Sequence, residues 1–239
     1  VRERILNGEF RPGQALLARP LSDEIGVSRT PIRDALRQLA TEGLVTFEVR
    51  VGASVKRMEV REFKEMCEIR LALESHAASL AALHRTEGEL RAIHGPLAAM
   101  RAITARLAGL GADDATLIQE LAWEDVRFHL AIIAAAKNEL IKKEILRLQL
   151  INRVVAGPAS AGGESEGLSK TEQDQRRRLV LAGHEEIYGA IEQQAGPRAR
   201  AAMERHREAV IEGRLVSLSQ ATAGVHARQL SEEELSYLA

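Results

Sequence analysis

Between Leu21 and Val45 the apolar positions recur at helical spacing in two short bursts separated by a glycine. Leu21 and Ile25 mark one face of a first helix. Gly26 permits a sharp turn, and Ile32, Ala35, Leu36 and Leu39 form the packing stripe of a second helix. Ser28 or Thr30 can cap this second helix, with Pro31 tolerated in its first turn. From Leu44 to Arg50 the pattern changes to β-formers, Gly52 sits at a natural tip, and Ala53 to Lys56 can return as a second strand. Helix, turn, helix and hairpin in this order predict a winged helix-turn-helix unit. An ordinary amphipathic helix pair with a surface hairpin shares much of the same pattern.

From Val60 onward the chain turns to alanine- and leucine-rich helical periodicity, which predicts an all-α second domain. The expected helices are Val60 to His84, Glu87 to Leu110, Asp114 to Lys137, Glu139 to Val155, Thr171 to Gln194 and Pro197 to Ser217, with a short tail helix after Ser231. Gly95-Pro96 should bend or break the second of these. Gly111 to Asp114 and Asn138 mark turns, Gly157 to Gly167 reads as a flexible loop, and Gly196-Pro197 ends one helix and starts the next. The resulting division is a winged domain at 1–58, a helical domain at 59–217 and a tail at 218–239.

Composition sharpens this division. The chain of 239 residues suits two unequal domains, and its net charge of −1 conceals an asymmetry. Of the 33 basic and 34 acidic residues, 10 and 7 fall in positions 1–58, so the first domain is positive and the remainder negative. Affinity for phosphate is therefore expected in the first domain. A single cysteine, Cys67, excludes an intramolecular disulfide framework. With no membrane-length apolar run and no visible signal peptide, a cytoplasmic, nucleoid-associated protein is expected. The opening at Val1, inside a helical pattern, points to residues preceding it.

Arg29, Thr30 and Arg33 cluster at the exposed start of the second helix of the motif, beside Ser28. A helix entering the major groove presents this end to bases and phosphates, where guanidinium forks match guanine edges and phosphate oxygens. In the second domain Asp125 and His129 are four residues apart and project from one helical face. His184 shares the inward face of Ile187 and Ile191, and His206 lies one helix later. Three imidazoles and a carboxylate suit Zn²⁺ or Ni²⁺, with Mn²⁺ or Fe²⁺ also compatible. The same spacing equally describes surface polar residues or a hydrogen-bonded pair, with His184 and His206 each satisfied by a carbonyl. His76, His84, His94 and His226 read as surface or packing histidines, and Trp123 and Phe128 as core or interface anchors.

The stretches ILNGEFRPGQAL, GVSRTPIRDALRQLATEGLV and VRVGASV, from Ile5 to about Met58, resemble the N-terminal domain of GntR-type bacterial transcription regulators. The resemblance implies operator contacts by Arg19, Arg29, Thr30, Arg33 and the wing-tip Gly52, with Arg50 at the same tip. EDVRFHLAI, HEEIYGAI and His206 resemble the FCD effector-binding domain of the FadR subfamily, an antiparallel bundle of six or seven helices. That likeness implies a divalent metal held by Asp125, His129, His184 and His206. It also implies a small organic acid bound beside the metal. Arg70, in EIRLALE, resembles the family's ligand-facing arginine, although an intrahelical ion pair with Glu74 fits it as well. Arg153 is a second candidate, but a cation there also complements the helix dipole.

The fold class expected is thus mainly α, a winged helix-turn-helix followed by an all-α bundle. The expected function is that of a homodimeric DNA-binding regulator, a repressor by preference, which binds a two-fold-related operator and responds to a carboxylate. Two alternatives remain from other classes. One is a metalloenzyme with Glu185 or Glu186 as general base, although no nucleophile motif accompanies them. The other is an architectural DNA-binding protein without an effector.

Overall fold

The computed structural model describes residues 1–48, 52–156 and 168–220, with 155–156 and 212–220 as backbone only. The predicted wing tip at Arg50, the Gly157 to Gly167 segment, His226 and the tail helix after Ser231 lie outside the described residues. The first unit comprises α1 (Arg2–Leu6), α2 (Ala18–Ile25), α3 (Arg29–Thr41), β1 (Val45–Glu48) and β2 (Gly52–Val55). The second comprises α4 (Val60–His84), α5 (Glu87–Ala108), α6 (Ala115–Ala135), α7 (Glu139–Ala156), α8 (Lys170–Glu192) and α9 (Gly196–Gln220).

In the first unit Leu21, Ile32, Leu36, Leu39, Leu44, Val45 and Val55 are buried together, as the apolar spacing requires. Ile25, expected on the same face, is 44% exposed, because the reversal at Gly26 carries the last turn of α2 away from the core. Ser28 stands at the N-cap of α3, but its side chain makes no capping hydrogen bond. The helix of the motif starts earlier than the apolar pattern suggested, so Arg19 lies in the first turn of α2. β1 and β2 pair antiparallel, with Val45 opposite Val55 and Glu48 opposite Gly52. A third segment joins them: Ala15 bridges Ser54, and the Leu16 N–H donates to the Ala53 carbonyl at 2.8 Å. Pro12 and Gly13 hid this pairing in the sequence, since both weaken a strand pattern.

The bundle helices begin where polar caps stop the chain. Thr86 and Glu89 form a capping box at α5, Ser169 and Glu172 another at α8, and the Asp114 carboxylate accepts from Thr116 and Leu117 N–H at α6. α5 runs unbroken through Pro96, contrary to a break at Gly95-Pro96. Ile93 and Leu97, on either side, are 0% and 1% exposed. Their burial on neighbouring helices offsets the roughly 3 kcal/mol that an interior proline costs. α4 packs chiefly on α9, α5 on α6 and α8, and α8 on α9. Ala78, Ala81 and Ala82 of α4 share a core with Ala199 and Ala202 of α9, where small side chains allow a close approach.

The two units share one apolar core. Phe63, Met66 and Cys67 of α4 and Leu148, Ile151 and Val154 of α7 are buried with Leu6, Leu36, Leu44 and Val55 of the winged unit. Gly43 has a positive φ of +83°, and a Cβ there would meet Ile151 Cδ1 at 2.9 Å. Arg153 Nε donates to the Leu6 carbonyl at 2.8 Å. The effector candidate Arg153 thus lies at the junction with α1, where its guanidinium donates to the carbonyl of that helix's last residue.

Candidate metal centre and nucleic-acid interface

Asp125 and His129 stand one turn apart on α6, His184 on α8 and His206 on α9, and one ligand atom from each lies within 4.8 Å of all the others. His129 is buried, so Asp125 and His129 are not a pair of surface residues. His129 Nε2 lies 3.3 Å from His184 Nε2, and His184 Nε2 lies 3.1 Å from Asp125 Oδ1. Donors bound at about 2.0–2.2 Å to one ion are separated by edges of roughly 3.0–3.5 Å, and these two spacings match such edges. Phe128, fully buried, meets the rings of His129 and His184 edge-on at centroid distances of 5.6 and 4.9 Å. His206 stacks on His129 at 5.2 Å. The three imidazoles are buried, and the cluster opens toward solvent at Asp125.

Gly183 completes this packing. A Cβ on it would lie 2.9 Å from His206 Nδ1, so a side chain at 183 would displace the ring. Burial, partly countered by Asp125 and Glu74, depresses His129 to a pKa of about 4. Burial likewise holds His206 well below the ordinary histidine value, reinforced by the neighbouring imidazoles. Enclosure works against an ionised Asp125, but the His184 contact and the other imidazoles outweigh it and hold the carboxyl below its ordinary value. Neutral imidazole beside an ionised carboxylate is the protonation state a divalent cation requires.

Arg70 is buried and pairs with Glu74, its Nε and Nη2 lying 3.0 and 2.8 Å from Glu74 Oε1. The ion pair and an effector-facing role had stood as alternatives, and the ion pair is formed. Sequence reading did not single out Arg207, whose Nε lies 3.4 Å from Glu74 Oε2. Only its adjacency to His206 gave a hint. Desolvation opposes the ionised form of Glu74, yet Arg207 and Arg70 hold it ionised, with a pKa of about 2. His76, His84 and His94 are exposed, with His94 against the Tyr188 ring at 5.4 Å, and Trp123 is half-buried.

In the winged unit Arg19, Ser28, Arg29, Thr30, Arg33 and Gly52 are all exposed. The buried stripe of α3 leaves Arg29 and Arg33 on the outer face, one turn apart. Arg37 continues this row by another turn and was missed, although its spacing was in plain view; it pairs weakly with Asp34 at 3.3 Å. Arg33 and Arg37 flank a surface groove with Leu17, Phe47 and Gly52, between α3 and the wing.

Residues 1–55 match the family described as bacterial regulatory proteins, gntR family, and residues 65–209 match the FCD domain. The chain belongs to the gntR family and carries an FCD domain. It is 31% identical over 218 residues to the HTH-type transcriptional regulator LutR of Bacillus subtilis, covering 84% of this chain and 92% of that protein. The gluconate operon transcriptional repressor of Bacillus licheniformis is 39% identical over 75 residues, only 31% of this chain and 30% of the repressor. The solved structure of E. coli McbR/YncC shares the fold, with a TM-score of 0.65 at 17% identity, covering 92% and 93% of the two chains. As a gntR-family protein with these relatives, the chain is a transcription regulator and not an enzyme. Among the described residues, no helix is long and apolar enough to cross a membrane.

Proposed function

We propose that this gntR-family regulator is a homodimeric, metal-dependent sensor of a small carboxylate, acting in the cytoplasm on nucleoid DNA. The observation that carries the reading is the convergence of Asp125, His129, His184 and His206 within 4.8 Å. These residues would hold a Zn²⁺ or Ni²⁺ ion, or Mn²⁺ or Fe²⁺, and the bound ion would supply a Lewis-acidic anchor for a carboxylate. Arg70 is the protein group proposed to orient the acid, since a guanidinium fork pairs with a carboxylate in a planar, two-point fashion.

Operator binding is assigned to Arg19, Ser28, Arg29, Thr30, Arg33, Arg50 and Gly52, acting from two protomers on a two-fold-related site. The acid acts by binding more tightly to one arrangement of the paired winged units than to the other. The core shared by α4, α7 and the winged unit supports such coupling, because residues of α1 and α3 are buried in the same cluster as residues of α4 and α7. A relative named as an operon transcriptional repressor favours repression as the mode of action. That likeness covers only 31% of this chain, so the kind of acid is not carried over with it.

The test uses purified protein, its metal content measured by elemental analysis, and a DNA fragment selected by the protein from a randomised pool. Sedimentation should show a dimer. Anisotropy titrations should show DNA affinity falling about 5- to 150-fold in the presence of one member of a panel of small mono- and dicarboxylates. Metal-free protein, no response to any acid, and unchanged thermal stability on adding metal would together sink the sensor reading.

A further inference from the structure

Glu74 stands one turn after Arg70 on α4, 1% exposed, and its two carboxylate oxygens have different neighbours. Oε1 takes both contacts from Arg70, at 3.0 and 2.8 Å. Oε2 faces Arg207 Nε at 3.4 Å and His129 Nδ1 at 3.8 Å. Among the described residues, neither Glu74 Oε2 nor His129 Nδ1 has a hydrogen-bond partner, although both are buried. The opposite nitrogen of the same imidazole, His129 Nε2, turns into the cluster beside His184 Nε2.

A neutral imidazole carries one proton, and its position decides which nitrogen offers a lone pair. We propose that Glu74 is a positioning residue for the metal centre: Oε2 accepts the His129 Nδ1 proton, leaving Nε2 deprotonated and aimed at the ion. The inference rests on the assignment of Asp125, His129, His184 and His206 as metal ligands. A shift of under about 1 Å in either side chain brings the pair from 3.8 Å into hydrogen-bond range. Arg70 and Arg207 hold the carboxylate between them, so the arginine side of the site and the metal side share one anion. The ordering of ligand imidazoles by a carboxylate on the far nitrogen is a general property of metal sites.

Glu74→Gln separates this role from simple neutralisation of the arginines. The carboxamide oxygen stays with the two Arg70 donors, which leaves the NH₂ group facing His129. A donor at that place favours a bare Nδ1 and a proton on Nε2, the nitrogen the ion needs. In metal-free wild-type protein at pH 7.5, nitrogen-15 spectra of labelled histidines, assigned with a His129→Asn variant, should show His129 protonated at Nδ1. In Glu74→Gln the proton should move to Nε2, and zinc affinity, measured by competition with a chromophoric chelator, should fall about 10- to 100-fold.

A wild-type His129 protonated at Nε2 overturns the proposal even where Glu74→Gln does not fold. So does a folded Glu74→Gln variant with unchanged tautomer and unchanged zinc affinity. If wild-type protein takes up none of zinc, nickel, manganese and iron(II), the ligand assignment fails and the proposal with it. The tautomer then reports separately whether Glu74 still orders the ring.

Discussion

Gly183 and His206 face each other across α8 and α9 so closely that the missing Cβ of the first would lie 2.9 Å from Nδ1 of the second. The helix carrying His184 therefore gives up a side chain at the preceding position so that the third imidazole can enter the cluster. Gly183→Ala is expected to raise intrinsic helix stability by about 1 kcal/mol, because glycine is a poor interior helix residue. At the same time it should move the His206 ring and weaken zinc binding about 10- to 100-fold, the range typical of groups that orient ligands. Calorimetric zinc titration and thermal melts of the metal-free protein check both halves. Wild-type zinc affinity in this variant would contradict the packing argument.

The junction of the two units offers a second test. Gly43→Ala places a Cβ 2.9 Å from Ile151 Cδ1 on a backbone with φ of +83°. Left-handed strain and the steric conflict should together cost about 1–3 kcal/mol. Arg153→Ala removes the donor to the Leu6 carbonyl and should cost about 1–2 kcal/mol. Hydrogen exchange should show faster opening of α1 and α3 in both variants, with α5 and α8 unchanged. Uniform protection across the chain would mean that the junction does not hold the winged unit.

Acid should destabilise the metal-free protein in two stages. His129 has a folded-state pKa of about 4, below its unfolded value near 6.5, so the unfolded chain binds a proton the folded chain refuses between those values. Stability therefore falls as pH drops from about 6.5 to 4, by about 3 kcal/mol for this residue, and His206 acts in the same direction. Glu74 is held at about 2, so its stabilising contribution is present above about 4.5 and is lost as pH falls toward 2. Chemical denaturation after chelator treatment measures both stages. A stability profile that is flat from pH 7 to 4.5 would refute the first.

On DNA, Arg33→Ala should weaken binding to a selected site by about 1–3 kcal/mol and relax its sequence preference if the guanidinium reads a base edge. Arg37→Ala, one turn further along α3, should weaken selected and random DNA alike. It should also reduce the slope of log affinity against log salt by about 1, as expected for a phosphate contact. Anisotropy titrations at several salt concentrations distinguish the two outcomes. Equal binding by Arg37→Ala and wild type at every salt concentration would remove Arg37 from the interface.

The sequence by itself determined the helices and most of their faces. Apolar spacing gave the burial of Ile32, Leu36 and Leu39 and hence the outward turn of Arg29 and Arg33, because a helix has one period and its sides follow from it. It also put Asp125 and His129 on one side of α6. Whether His184 and His206 join them is a matter of helix packing between residues far apart in the chain, and periodicity carries no such distance. The same limit hid the meeting of Glu74 with His129 and Arg207, drawn from three helices. It hid the place of Arg153 on the Leu6 carbonyl, 147 positions away, and the continuity of α5 through Pro96, where burial outweighs local propensity. Local pattern fixes which way a side chain points from its own helix, and only the packed fold decides what it meets there.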